Sequence, residues 1–241
     1  MLWEHVVRVQ IPALRQMRIL IYGEDTTEIK KLAKKSGFDV VTKNSEIVAS
    51  YGGDGTFMKC EQEFPGVPKF ILKKSRTSKK THDIPHNDML ERINRGEYKV
   101  DEEIKIEASA KGKKIVGLNE IIVHNSDPRQ AIRYEIFVNG KQIGKEIIGD
   151  GVVVSTPFGS TGYYRSITDG IFEVGIGIAF NNSTEQSDHM VIKEDSKIIV
   201  KILRGPCMAY ADNHDDEISL QPGDEILIKK SEKKAKIIKF I

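Results

Sequence analysis

One stretch, residues 47–64, constrains this chain more than any other. Ile47-Val48-Ala49-Ser50-Tyr51 reads as a buried strand, Gly52-Gly53-Asp54-Gly55-Thr56 as a tight turn, and Phe57 to Phe64 as the opening of a helix. A strand that passes through glycines into a helix is the joint of an α/β unit. Glycine admits torsions closed to other residues and lets backbone approach a bulky group. The N–H groups at the helix start then form an anion site suited to phosphate. No Gly-Lys-Ser/Thr follows, so the P-loop pattern is excluded. Asp54 is the odd member, because a carboxylate touching a triphosphate is repelled by about 1 kcal/mol even in water. It has a place there if it takes a proton from an attacking hydroxyl or helps hold a magnesium ion. The same residues also suit a plain strand–helix turn with Asp54 as N-cap. The turn alone does not separate the two.

Around it, Arg18 to Gly23 reads as a first strand, and 25–36 as a helix with Ile29, Leu32 and Ala33 on one side. Phe38 to Val41 and Phe70-Ile71-Leu72 read as strands, and Asn87 to Arg95 as a helix. This alternation predicts an α/β domain over 1–98 with a mainly parallel sheet; 1–16 is an extension, and Met17 an alternative start. The texture changes near residue 100. Ile104, Ile106, Ala108 and Ala110 alternate with polar residues, Lys111-Gly112-Lys113 sits at a hairpin turn, and Ile115 to Val123 is its return strand. Tyr134 to Val138, Asn139-Gly140 and Gln142 to Ile148 form a second hairpin, with further β runs at 151–155, 174–180, 197–203 and 225–228. The fold class is α/β plus β: residues 99–241 form a β-rich domain, and 235–241 are a last strand able to pack back on the N-terminal domain. The join between two such regions is a usual place for a ligand cleft.

Bulk properties exclude several classes. Hydrophobic residues at 39% and charged residues at 30% supply an ordinary core without disulfides. A net charge of +2 gives no general pull toward nucleic acid or membrane. Cys60 and Cys207 stand in no metal-ligand spacing and read as inert thiols of a cytosolic protein. No apolar stretch reaches the roughly 18 residues that cross a bilayer, and Met1-Leu2-Trp3-Glu4-His5 lacks a signal peptide's character. A cytoplasmic location is expected.

A second turn shifts the balance. Gly149-Asp150-Gly151 leads into Val152-Val153-Val154, then Ser155-Thr156-Pro157-Phe158-Gly159-Ser160-Thr161-Gly162-Tyr163. Small hydroxyl residues beside glycine supply donors to phosphate and ribose oxygens without bulk. Between the two turns, Asn119-Glu120 interrupts an apolar strand. Amide and carboxylate suit ribose hydroxyls, which donate and accept together.

These three elements, in this order over about residues 17–230, resemble the NAD kinase family. The first is shared with diacylglycerol, sphingosine and phosphofructo-kinases, whereas the segment from Asp150 to Tyr163 is long and specific. The resemblance implies transfer of the ATP γ-phosphoryl group to the 2′-hydroxyl of the adenosine ribose of NAD, with Mg²⁺ as cofactor and NADP as product. It gives Asp54 the general-base or orienting role. It gives Gly52, Gly53, Gly55 and Thr56 the phosphate contacts, and Asn119 and Glu120 the ribose and adenine. Asp150, Thr161, Tyr163 and Ser166 would line the same dinucleotide site, and a family aspartate matches Asp212. Family members are usually homodimers or homotetramers whose neighbouring subunits help build the site. ATP or polyphosphate would be the donor. The alternatives are a catalytically silent NAD(P)-binding regulator and a lipid or sugar kinase sharing the first turn.

Two places depart from the family pattern. The glycine loop expected beside the nicotinamide is replaced by Leu72-Lys73-Lys74-Ser75-Arg76-Thr77-Ser78-Lys79-Lys80, and a usual Arg-Pro by Asp188-His189-Met190. The basic run 73–80 reads as a solvated loop or as a device steering polyanions into the cleft. Asp212, His214, Asp215, Asp216 and Glu217 read as a polar turn or a cation site. His82 and His86, separated by Pro85, take no role.

Overall fold

A computed structural model describes residues 15–74, 84–184 and 189–241. The extension up to residue 14, the basic run from Ser75 onward, His82 and Asp188 lie outside the described residues. The first third alternates as expected: β1 (Arg18–Gly23), α1 (Thr27–Lys35), β2 (Asp39–Val40), β3 (Ile47–Gly52), α2 (Asp54–Glu63), β4 (Lys69–Lys73) and α3 (His86–Asn94). β1 pairs in parallel with β2 on one side and β3 on the other, and β4 continues in parallel beside β3. Both sheet faces are covered. Ile29 and Ala33 of α1 and Met89, Leu90 and Ile93 of α3 pack on Ile19, Ile21, Ala49 and Phe70, while Cys60 of α2 packs on Leu20 and Val48 opposite. Burial on both sides is why these strands read as continuous apolar runs.

The rest is β-rich: β5 (Tyr98–Ala110), β6 (Lys113–Gly117), β7 (Glu120–Asn125), β8 (Ile132–Val138), β9 (Lys141–Gly149), β10 (Gly151–Ser155), α4 (Tyr163–Thr168), β11 (Ile176–Asn181), β12 (His189–Ile192), β13 (Lys197–Arg204), β14 (Cys207–Ala211), β15 (Glu217–Leu220) and β16 (Glu225–Phe240). Both expected hairpins turn through left-handed pairs, Lys111-Gly112 (φ 52°, 74°) and Asn139-Gly140 (φ 52°, 79°), the torsions that match strand twist. One sheet runs β2-β1-β3-β4-β16-β13-β8-β9 with β5 and β6 attached through β16; the other runs β12-β11-β10-β7-β14-β15. They enclose a common core that includes Ile106, Ile136, Val200 and Ile228 from the first sheet and Val123, Val152 and Ile178 from the second.

Two sequence expectations need correction. The segment from Ile115 to Val123 is two strands, not one: β6 pairs β5 in the first sheet, and β7 joins β10 and β14 in the second. The break falls at Leu118-Asn119. The run at 225–228 extends to Phe240, so the tail 235–241 is the far end of β16, where Ile237 pairs with Lys69 of β4. β12, β14, β15 and α4, which the sequence reading did not anticipate, complete the second sheet and its cover.

The two thiols are fully buried, and burial pushes each up to about 12. At pH 8 the native protein is therefore expected to resist a thiol-specific reagent, with both cysteines reacting once denaturant is added. Fast labelling of the native protein would contradict this packing.

Candidate functional site

The glycine turn ends β3 and starts α2. Gly53, with extended torsions (φ −107°, ψ −167°), is the N-cap residue and makes no side-chain cap. Asp54 is the first helical residue and half-buried, so Gly53, not Asp54, holds the N-cap position. Gly52 is required sterically: a Cβ there would meet the Thr56 hydroxyl oxygen at 2.3 Å. Gly52, Gly55 and Thr56 of the turn line one wall of a cleft of about 550 Å³, which Gly23, Glu24, Thr26 and Lys30 wall from the β1 side. This is where strand order reverses, with β2 and β3 flanking β1, and such switch points open at the carboxyl ends of the strands. Lys30, Lys59 and Lys74 give the cleft positive charge, and Lys74 pairs with Asp25 at 2.8 Å. Lys59 follows Gly55 by four residues, so it shares their helix face; that spacing could have exposed it in the sequence.

Asp212 joins this turn to the Asn-Glu pair. Its carboxylate accepts backbone N–H bonds from Leu118 (2.7 Å), Asn119 (2.8 Å) and Glu120 (3.0 Å), at the break between β6 and β7. Residue 117 is glycine because a Cβ would lie 2.5 Å from the Glu120 carbonyl oxygen. Burial pushes the Asp212 carboxyl up, against the downward pull of the three N–H donors and of His214. The next residue reaches the other way: Asn213 Nδ2 donates to the Gly55 carbonyl at 3.0 Å and also lines the cleft. Leu118 packs with Phe57 and Met58 of α2, and Phe158 packs beside them. Three motifs far apart in sequence are thus brought together.

The hydroxyl-rich segment closes around the same pair. Thr156 Oγ1 donates to the Leu118 carbonyl at 2.6 Å and accepts the Gly159 N–H at 3.0 Å, while Ser155 Oγ donates to the Asn119 carbonyl at 3.2 Å. A Cβ at Gly159 would strike the Asn119 carbonyl oxygen at 2.1 Å; one at Gly162 would sit 3.7 Å from a Glu120 carboxylate oxygen and 4.0 Å from the Asn119 amide. Glycine at 159 lets the loop lie directly on the pair, while at 162 a Cβ would make only ordinary contact with it. Thr161 ends the short 3-10 turn Gly159–Thr161 and is half-buried. Ser166 is exposed on α4 and donates to the Tyr163 carbonyl at 2.7 Å.

Asp150 is held by Asn182 (3.1 Å) and Asn125 (3.4 Å). In the sheet, Gly151 stands between His124 and Asn181. Asn181 Nδ2 lies 3.3 Å from His124 Nε2 and donates to the Tyr163 hydroxyl at 3.0 Å. Burial, followed by the charge of Asp150, raises the Tyr163 phenol above its usual range. His124, Asn181 and Asn213 were missed in the sequence because pairing across strands and the turn after β14 leave no local mark. Among the described residues no three His, Cys, Asp or Glu side chains are grouped to hold a metal, and no helix is long and apolar enough to cross a membrane.

Residues 118–240, more than half of the chain, match the family model of the ATP-NAD kinase C-terminal domain. The chain belongs to the NAD kinase family. It is 29% identical to an NAD kinase of Saccharolobus islandicus (strain M.14.25 / Kamchatka #1), with 93% of this chain and 94% of the relative covered. It is 27% identical to an NAD kinase of Methanothermobacter thermautotrophicus (94% and 82%). It is also 27% identical to a bifunctional NADP phosphatase/NAD kinase of Methanococcus maripaludis, covering 87% of this chain but only 39% of that longer protein. The fold matches the crystal structure of an NAD kinase from Archaeoglobus fulgidus in complex with ATP (TM-score 0.76, 22% identity, 94% of each chain). It equally matches a yeast NADH kinase complexed with NADH (TM-score 0.76, 17% identity, 95% and 85%). The expected N-terminal α/β and C-terminal β-rich architecture is the architecture of the family.

Loss of the Asp212 carboxylate strands three N–H groups, each worth roughly 1–3 kcal/mol when buried without a partner. Asp212→Ala is expected to lower the unfolding free energy by about 3 kcal/mol or more in a urea titration. Asp212→Asn, which keeps one acceptor oxygen, should lose less. Two negligible losses would show that water replaces the carboxylate.

Proposed function

We propose that the chain is an NAD kinase that moves the γ-phosphoryl group of ATP to the 2′-hydroxyl of the adenosine ribose of NAD, releasing NADP and ADP. The observation that carries this reading is the Asp212-Asn213 link, which makes the glycine turn and the Asn119-Glu120 pair two sides of one site. Membership of the family supplies the reaction. In this reading Asn119 and Glu120 grip the ribose and adenine, with Asp150, Thr161, Tyr163 and Ser166 around them and Asp212 acting through the backbone it holds. Asp54 takes the proton of the 2′-hydroxyl as its oxygen bonds to the γ-phosphorus and the bond to ADP breaks. Gly52, Gly53, Gly55 and Thr56 hold the phosphates through backbone and hydroxyl donors. Lys30 and Lys59 offset their charge from the cleft wall.

Mg²⁺ needs one or two carboxylates besides substrate phosphates rather than a cage of protein ligands. An ion carried by the ATP phosphates would need few protein ligands, which would leave Asp54 to the acceptor proton. Such an ion would neutralise charge on the transferring group.

ATP, rather than polyphosphate, is the proposed donor, supported by the fold shared with the ATP complex. Cytoplasmic residence is supported by two free, buried thiols. Assembly as a homodimer or homotetramer is supported by exposed Ile171 (61%), Val174 (79%) and Val191 (46%) near the edge strand β12.

The protein mixed with ATP, magnesium and NAD should yield NADP, followed by a coupled NADP-specific dehydrogenase. Asp54→Asn should lower turnover by about 10²- to 10⁴-fold while NAD affinity stays close to native. An unchanged rate removes Asp54 from the chemistry.

A further inference from the structure

A buried charge cluster lies behind the catalytic helix. Glu61 of α2, 2% exposed, is bonded by Lys69 of β4, 0% exposed, and by Lys105 of β5, 5% exposed, whose ammonium is 3.0 Å from Glu61 Oε1. Lys69 also donates to the Val67 carbonyl at 2.6 Å. Two ammonium groups share one carboxylate, so the cluster carries an excess positive charge in a place where an unpaired charge is costly. Lys105 has three N–H donors, and Glu61 is the one partner found for it among the described residues.

Lys105 opens onto a second pocket of about 170 Å³ at the C-terminal end of α2, where Gln62 and Pro65 line it; it shares no lining residue with the nucleotide cleft. Its other charged lining is Lys114, Lys233 and Asp216, with His214 beside them. Lys114 is paired with Glu107 at 2.7 Å yet remains half exposed. Three lysines against one aspartate leave the lining cationic, and the volume admits one small anion rather than a nucleotide. His214, two residues from Asp212, puts the pocket next to the turn that joins the site together.

We infer that this pocket binds a phosphate-class anion, such as inorganic phosphate or pyrophosphate, at a site separate from the nucleotide cleft. The anion takes the remaining donors of Lys105 and neutralises the excess charge that Lys69 and Lys105 share over Glu61. The inference does not depend on the proposed reaction, since it concerns binding alone.

Inorganic phosphate titrated calorimetrically into the protein at constant ionic strength tests it. Lys114→Gln/Lys233→Gln alters only exposed side chains and leaves buried Lys105 in place; Lys30→Gln/Lys59→Gln removes charge from the nucleotide cleft instead. Each lost charge at contact range is worth about 1 kcal/mol, so the first variant, which loses two, should bind phosphate about thirtyfold more weakly at this site. The second variant should retain the site. A loss under about fivefold in Lys114→Gln/Lys233→Gln overturns the proposal. So does abolition of all phosphate binding by Lys30→Gln/Lys59→Gln, or no binding by the unaltered protein.

Discussion

The carboxylate of Asp212 is the interaction on which the rest depends. Three successive N–H groups at a strand break would otherwise be buried without partners, a cost of several kcal/mol. By accepting all three, Asp212 lets the chain leave the first sheet after β6 and enter the second at β7. The two polar residues at that break, Asn119 and Glu120, are thereby held in place through their backbone N–H groups. Asn213 extends the same turn to the carbonyl of Gly55, so the start of α2 is referenced to the break and not merely adjacent to it.

Close approach does the rest. The motifs meet with side chains bonded to backbone, and at Gly52, Gly117 and Gly159 a single methyl group would collide. Apolar packing of Leu118 against Phe57 and Met58 supplies burial where the polar bonds supply direction. The cleft itself follows from topology: β1 lies between β2 and β3, and the gap at their carboxyl ends falls in front of the N-terminus of α2. A helix start and lysines at such a gap favour a polyanion; a carboxylate at the first helical position does not, unless it has work to do on the acceptor.

Much of this was legible in the sequence because it is local. Strand and helix periods marked the elements from β1 to α3, and Lys111-Gly112 and Asn139-Gly140 marked the β5–β6 and β8–β9 hairpins because left-handed torsions restrict residue choice. The motif order marked the family. What stayed hidden was non-local. Ile115 to Val123 looks like one apolar strand with a polar pair inside it, and nothing local shows that Asp212, far along the chain, receives the N–H groups at that pair where the strand divides. His124 and Asn181 meet only because Gly151 stands between them in the sheet. Glu61 and Lys69 look like ordinary surface charges in sequence, and only packing reveals them as fully buried.

The most direct measurement is a crystal structure of the protein with NAD bound. The adenosine ribose should lie between Asn119-Glu120 and the start of α2, its 2′-hydroxyl within hydrogen-bonding distance of the Asp54 carboxylate. A dinucleotide seated with that hydroxyl facing away from Asp54 would contradict the site as built here.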